Sequence, residues 1–198
     1  LEFACNGNTP ICNGNIVRID ANAAPPATQS FTNLNNTHIP AGGTTTGVST
    51  PYPNTRTVAS LPATGVSDKS VTLTNYSHSF PDDVDIVLVS PTGQSVILMS
   101  DAGGSADATG QTFTLDDAAA SFLADAAFNA TGSYKPTNYG AGDSWPVVGS
   151  PTATTLSTFT GNMNGNWSLY AFDDLTGDIG FLSTWTITFN VLQPLVFS

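Results

Sequence analysis

The chain has 198 residues and a formal net charge of −11, with 4 Lys and Arg against 15 Asp and Glu. That length suits one domain with a core of its own, and so few cations exclude binding along the phosphates of a nucleic acid or an anionic membrane surface. Charged residues are 10% of the sequence, where about 25% is usual; 28 Thr, 19 Ser, 16 Asn and 18 Gly fill the gap, a composition of short strands and turns.

Residues 1–27 read as an N-terminal linker segment rich in Gly, Asn and Pro, with a single strand-like run at 16–20. Cys5 and Cys12 close a small loop within it. A disulfide between them is the expectation for an exported chain, because two thiols with no Cys or His partners do not make a zinc site. From residue 28 onward, short apolar alternations are punctuated by turn residues. Strands are expected near 55–61, 71–74, 112–115, 166–172 and 182–191, and in the last of these every second residue from Trp185 to Val191 is apolar, the mark of a strand with one wet face. Residues 84–89 and 95–99 are apolar on both parities and flank Ser90-Pro91-Thr92-Gly93, which predicts a buried hairpin with a tight turn. Only 116–127, an Ala-rich stretch, offers one or two turns of helix. Residues 28–193 therefore form the domain and 194–198 a tail. The pattern predicts an all-β fold, an antiparallel two-sheet β-sandwich of the jelly-roll type. No apolar run is long enough to span a membrane as a helix.

Fourteen of the acids are Asp, and ten of them fall in groups: Asp82, Asp83 and Asp85; Asp101 and Asp107; Asp116 and Asp117; Asp173, Asp174 and Asp178. Neighbouring carboxylates repel and raise one another's pKa unless a cation sits among them. Ca²⁺ suits such loops, since it takes six to eight hard oxygens from carboxylates and carbonyls in a flexible shell. Asp83 and Asp85 are expected on one side of an extended chain, and the glycines after Asp101 leave carbonyls free to turn inward. Asp also serves turns through its own backbone hydrogen bonds, the reading that suits Asp20, Asp68, Asp125 and Asp143. With only His38 and His78 present, zinc is disfavoured.

The run His78-Ser79-Phe80-Pro81-Asp82-Asp83-Val84-Asp85-Ile86 is followed by Leu88-Val89-Ser90-Pro91-Thr92-Gly93. Later come Gly165-Asn166-Trp167-Ser168-Leu169, then Asp173, Gly177-Asp178, Gly180 and Trp185-Thr186-Ile187. In order and spacing this set resembles the P domain, or P/Homo B domain, of subtilisin-like proprotein convertases, over roughly residues 35–191. The pieces Ser100-Asp101-Ala102-Gly103-Gly104 and Asp116-Asp117-Ala118-Ala119 look like its bacterial secreted branch. The resemblance implies a β jelly roll, an extracellular setting, bound calcium in many members, and a role in stabilising or regulating a neighbouring protease domain of the same polypeptide.

Trp167 and Trp185 fall on the apolar parity of their strands and read as core anchors; His78 reads as a hydrogen-bonded structural residue. The Gly/Pro/Ser stretch 134–151 breaks the β pattern. If its Tyr134, Tyr139 and Trp145 are exposed they can stack on an extracellular polysaccharide or anchor a protein partner; if packed, they cover the sheet. No G-x-S-x-G, phosphate loop or nucleophile with a base is present, so a non-enzymatic, monomeric module is expected.

Overall fold

The computed structural model describes residues 21–22, 26–140, 145–146, 149–193 and 196–197. The expected strand at 16–20 and the Cys5–Cys12 bridge lie outside the described residues. Among the described residues thirteen strands run β1 (Ala21–Asn22), β2 (Ala27–Asn33), β3 (Thr37–Ile39), β4 (Gly47–Val48), β5 (Asn54–Val58), β6 (Val66–His78), β7 (Val84–Val89), β8 (Ser95–Met99), β9 (Ala108–Asp116), β10 (Gly132–Tyr134), β11 (Gly165–Asp173), β12 (Gly180–Val191) and β13 (Val196–Phe197). Two sheets form the sandwich. One has the order β10-β9-β6-β12-β2, with β3 also on β12; the other has β4-β11-β7-β8, with β5 also on β11. β1 and β13 pair separately.

The all-β sandwich is therefore as expected, with one departure from antiparallel pairing: β10 runs parallel to β9. The predicted hairpin is β7–β8, closed by Gly93 N–H to the Ser90 carbonyl at 3.0 Å and Ser90 N–H to the Gln94 carbonyl at 2.8 Å. The predicted strand at 71–74 is the middle of β6, 13 residues long. The helix expected at 116–127 does not form. Asp116 and Asp117 draw backbone N–H groups into turns and caps instead, and Phe122 lies extended in a parallel bridge with Lys135.

Alternation places Val71, Leu73, Trp167, Leu169, Trp185, Ile187 and Phe189 between the sheets, all fully buried. Trp167 on β11 meets Phe189 on β12 edge to face at 5.7 Å and Phe159 at 4.8 Å, while its indole N–H donates to the Met163 carbonyl. Both tryptophans are thus core residues; removing such a ring costs about 3–5 kcal/mol.

The double apolar parity of β7 and β8 has a physical cause. Val84, Ile86 and Leu88 face the other sheet, and Val87 and Ile97 are buried on the opposite face. The segment after β10 runs along the free edge of β8, where Thr137 and Tyr139 N–H donate to the Leu98 and Ser100 carbonyls and Ile97 N–H donates to the Ala153 carbonyl. Tyr52 stands edge to face on Tyr170 at 5.0 Å, and its hydroxyl donates to the Pro146 carbonyl.

Candidate functional site

The end of the sandwich where β6 stops gathers the acidic groups. Pro81–Asp83 form one 3-10 turn between β6 and β7, which brings Asp83 to the end of β11. Asp174 N–H donates to the Asp83 carbonyl at 3.0 Å. Asp173, the last residue of β11, lies opposite Val84 and on the core parity of its strand. Its carboxylate is fully buried and stands 3.1 Å from His78 Nε2, without the alignment of a hydrogen bond, and no side chain bonds either carboxylate oxygen.

Near this carboxylate is Tyr76, fully buried, with an unpartnered hydroxyl. Burial pushes its pKa well up, and Asp173, Asp85 and Asp83 push it further. Gly180 permits the close packing here, since a Cβ at that position would stand 2.4 Å from His78 Cδ2 and 2.1 Å from the Ser77 carbonyl oxygen.

The electrostatics are one-sided. Burial, then Asp174, Asp178 and Asp82, push the Asp83 carboxyl up to about 6. Burial and Asp83 push Asp173 up to about 7, with Asp178 and Asp174 adding and a Leu175 backbone hydrogen bond opposing. Burial lowers His78, against the Phe80 carbonyl, Asp178 and Ile39. His78 Nδ1 lies 2.9 Å from the Phe80 carbonyl oxygen. Both members of the His78–Asp173 contact are thus driven toward their neutral forms, so the contact is not a conventional ion pair. Asp178 at the rim accepts from Ser79 Oγ at 2.9 Å. Among the described residues no three His, Cys, Asp or Glu side chains meet as a finished metal cage.

The other predicted acids lie elsewhere. Asp83 and Asp85 do not share one side of a strand, because β7 begins at Val84; Asp85 faces the outer side of its sheet and accepts from Ser100 Oγ at 2.7 Å. Asp101 lies beside it, its Oδ2 3.4 Å from the same hydroxyl, under the backbone of Gly140. Asp82 accepts from Gly104 N–H at 3.2 Å, and Asp107 is exposed. Asp116 accepts from Ala118 N–H at 2.8 Å. Both oxygens of Asp117 cap the 3-10 turn Leu156–Thr158, accepting from Leu156 and Ser157 N–H at 2.7 and 2.8 Å.

The aromatic segment is packed at two of its three rings. Tyr134 stands edge to face on Phe113 at 5.9 Å and donates to the Ala130 carbonyl. Tyr139 packs against the core and donates to the Leu123 carbonyl at 2.7 Å. Trp145 is half-buried and bridges to Gly149.

Residues 68–126 match the family model of the proprotein convertase P-domain. The matched segment, under a third of the chain, runs from β6 through β9 and the loop after it. It contains Tyr76, His78 and the Asp82–Asp85 region; Asp173, Asp174 and Asp178 lie beyond it. No curated protein matches the chain. The P-domain is a non-catalytic accessory family found in secreted proteins, and among the described residues no helix is long and apolar enough to cross a membrane.

The residues that sequence reasoning underweighted here are Tyr76 and His78. Tyr76 sits on an apolar parity and reads as core. The signal available was its polar tip, which a buried position must satisfy, two residues before a histidine and followed within ten residues by three aspartates.

Proposed function

We propose that the chain is a calcium-binding, non-catalytic P-domain module of a secreted protein, which stabilises or positions a neighbouring domain of the same polypeptide, a subtilisin-like protease by the resemblance. The P-domain match over residues 68–126 supports the accessory role. The observation that carries the cation is the buried Asp173 carboxylate. No side chain bonds either oxygen, and burial and every carboxylate acting on it raise its pKa against a Leu175 backbone hydrogen bond. Leaving a buried charge unpaired is costly, and a divalent cation between Asp83 and Asp173 relieves that cost. Asp174 and Asp178 add charge at the rim. Backbone carbonyls and water complete the shell, which Ca²⁺ accepts and zinc does not.

Thermal melting in Ca²⁺ and in EGTA, with metal content measured on the same samples, tests this. The wild type should melt higher in Ca²⁺, and Asp173→Asn should melt at one temperature in both. An unchanged wild-type melting temperature together with no bound calcium would remove the cation from the proposal. The accessory role is tested separately, by expressing the parent protein with and without residues 28–193 and comparing the stability of its remaining domain.

A further inference from the structure

With 4 Lys and Arg against 15 acids, the chain has carboxylates to spare for every cation. Lys69 shares its cleft with Asp68, Asp116 and Asp117, and Lys135 lies over the Phe122 ring, 5.5 Å from its centre. Arg56 has neither. Among the described residues it forms no ion pair, its guanidinium makes no hydrogen bond, and its Nε is buried without an acceptor.

Arg56 stands in the middle of β5, on the core parity between the buried Asn54 and Val58 and opposite Trp167 of β11. Its half-buried side chain lines a cleft of about 330 Å³ between the edges of β5 and β2, with no acid in the lining. Asparagines fix the walls. Asn33, buried at the end of β2, donates from Nδ2 to the Thr55 carbonyl at 2.8 Å and to Asn54 Oδ1, and its own Oδ1 accepts Asn35 N–H at 2.8 Å. Asn54 Nδ2 returns to the Asn35 carbonyl at 3.0 Å and to Thr37 Oγ1 at 2.7 Å.

The backbone of β5 adds a donor. Ala171 turns its carbonyl to Ser49 N–H at 3.0 Å, so by alternation Leu169 and Trp167 are the β11 residues that bond Asn54 and Arg56. Thr55 and Thr57 therefore turn their backbone groups the other way, to an edge on which no strand pairs among the described residues. Asn33 takes the Thr55 carbonyl there; the Thr57 N–H has no partner among them.

We propose that this cleft binds the C-terminal carboxylate of a peptide, with the Arg56 guanidinium and the Thr57 N–H as its donors. A partly desolvated guanidinium without an acceptor calls for an anion, and its planar fork matches a carboxylate. One cation balances one negative charge, whereas a phosphate group, at about −1.5 to −2, leaves an excess on a chain already at −11. The open backbone edge suits the amide that precedes a C-terminal carboxylate. Leu34, 78% exposed at the rim, offers contact to an apolar last side chain. Walls held by their own hydrogen bonds reduce the cost of ordering the site. The cleft shares no residue with the Asp83–Asp173 end, so this inference stands apart from the calcium reading.

Titration of the isotope-labelled chain with an N-acetylated tripeptide ending in leucine, followed by nitrogen–proton NMR, tests it. The Arg56 Nε–H signal and the Thr57 amide should shift together and saturate, and the same peptide with a C-terminal amide should move neither. Acetate should bind roughly tenfold more weakly, since it lacks the amide and the leucine, and inorganic phosphate no better than acetate. Arg56→Gln should weaken peptide binding roughly tenfold or more, the worth of a charged hydrogen bond, as read at the Thr57 amide. If that variant fails to fold, Asn35→Asp, at an exposed position, should weaken binding by setting a like charge on the rim while melting with the wild type. No saturable shift at tens of millimolar peptide overturns the proposal and leaves Arg56 as a stem that covers the core. Binding of the amidated peptide, acetate or phosphate as tight as that of the free peptide overturns it, as does undiminished binding by the folded variants.

Discussion

Two pairs of adjacent aspartates, identical as sequence, have opposite surroundings. Asp116 ends β9 and Asp117 follows it, and Asp116 pairs with Ser70, eight residues along β6 from His78, or about 26 Å. There the carboxylates are met by donors: three backbone N–H groups donate to their oxygens, and Lys69 lines the same cleft of about 280 Å³. Burial lowers the Lys69 pKa, and Asp68 and Asp117 act against that. At Asp82 and Asp83 the donors are few, and the carboxylates acting on Asp83 are all of its own sign. A doubled Asp therefore carries no fixed meaning. The supply of N–H groups and cations from distant parts of the chain decides whether it is a cap or a site.

The largest expected effect separates the two regions by their response to calcium. At a Ca²⁺ concentration of 100 times Kd, ligand linkage stabilises the fold by about 2.7 kcal/mol. Asp173→Asn should remove that response and, in EGTA at neutral pH, should melt no lower than the wild type, because it deletes a charge that burial disfavours. Calorimetric melts of both proteins in the two media are the measurement. A variant that keeps the wild-type calcium shift would place the ion elsewhere.

Next in size is Asp117→Ala, which leaves the N–H groups of Leu156 and Ser157 without their acceptor. The loss should be about 2 kcal/mol, as for hydrogen bonds to a charged group at a capping position, and urea denaturation measures it. It should be the same in Ca²⁺ and EGTA. A calcium-dependent loss would mean that the two acidic regions are not distinct.

A pH series divides them again. Asp83 and Asp173 have folded pKa values of about 6 and about 7, above the ordinary 3.8, so the folded state holds protons that the unfolded chain releases. Their contribution to stability is complete below about pH 4 and is lost as pH rises through 6 and 7. His78 works the other way: burial lowers it from 6.5, so its contribution is complete above 6.5 and fades on acidification. Between pH 6.5 and about 8 the carboxylates dominate. The wild-type melting temperature should fall across that interval in EGTA and stay level in Ca²⁺; a fall of equal size in both would show that no cation replaces the protons.

Much of the fold was legible because it depends on local periodicity. Trp185–Val191 alternates in sequence and in burial alike, and the β7–β8 hairpin announces itself by two apolar runs around a Pro and a Gly. β3, β4 and β10 were not legible: each has two or three residues and exists only because a longer strand offers it an edge. The helix expected at 116–127 failed for a related reason, since propensity cannot see that Asp117 is needed 39 residues later as a cap. The candidate site follows the same logic. Clustering identified the carboxylates, but Tyr76 and His78 reach Asp173 from the opposite sheet, and no spacing in one chain segment encodes that approach.

Asp82 stands between the two regimes and gives the finest division. One of its oxygens accepts Gly104 N–H, like the carboxylates at the other end, yet its charge also raises Asp83. Asp82→Asn keeps an acceptor oxygen for Gly104 and removes only the charge. In EGTA at pH 7 the variant should be more stable than the wild type, by less than about 1 kcal/mol, and the carboxylate part of its pH profile should show a smaller loss that ends at a lower pH, because a smaller repulsion leaves Asp83 closer to its ordinary value and reduces the destabilisation on ionising. A lower melting temperature at every pH would show that Asp82 acts through the Gly104 bond alone. Asp82 would then belong with Asp117 as a cap, and the cation site would narrow to Asp83, Asp173 and the rim.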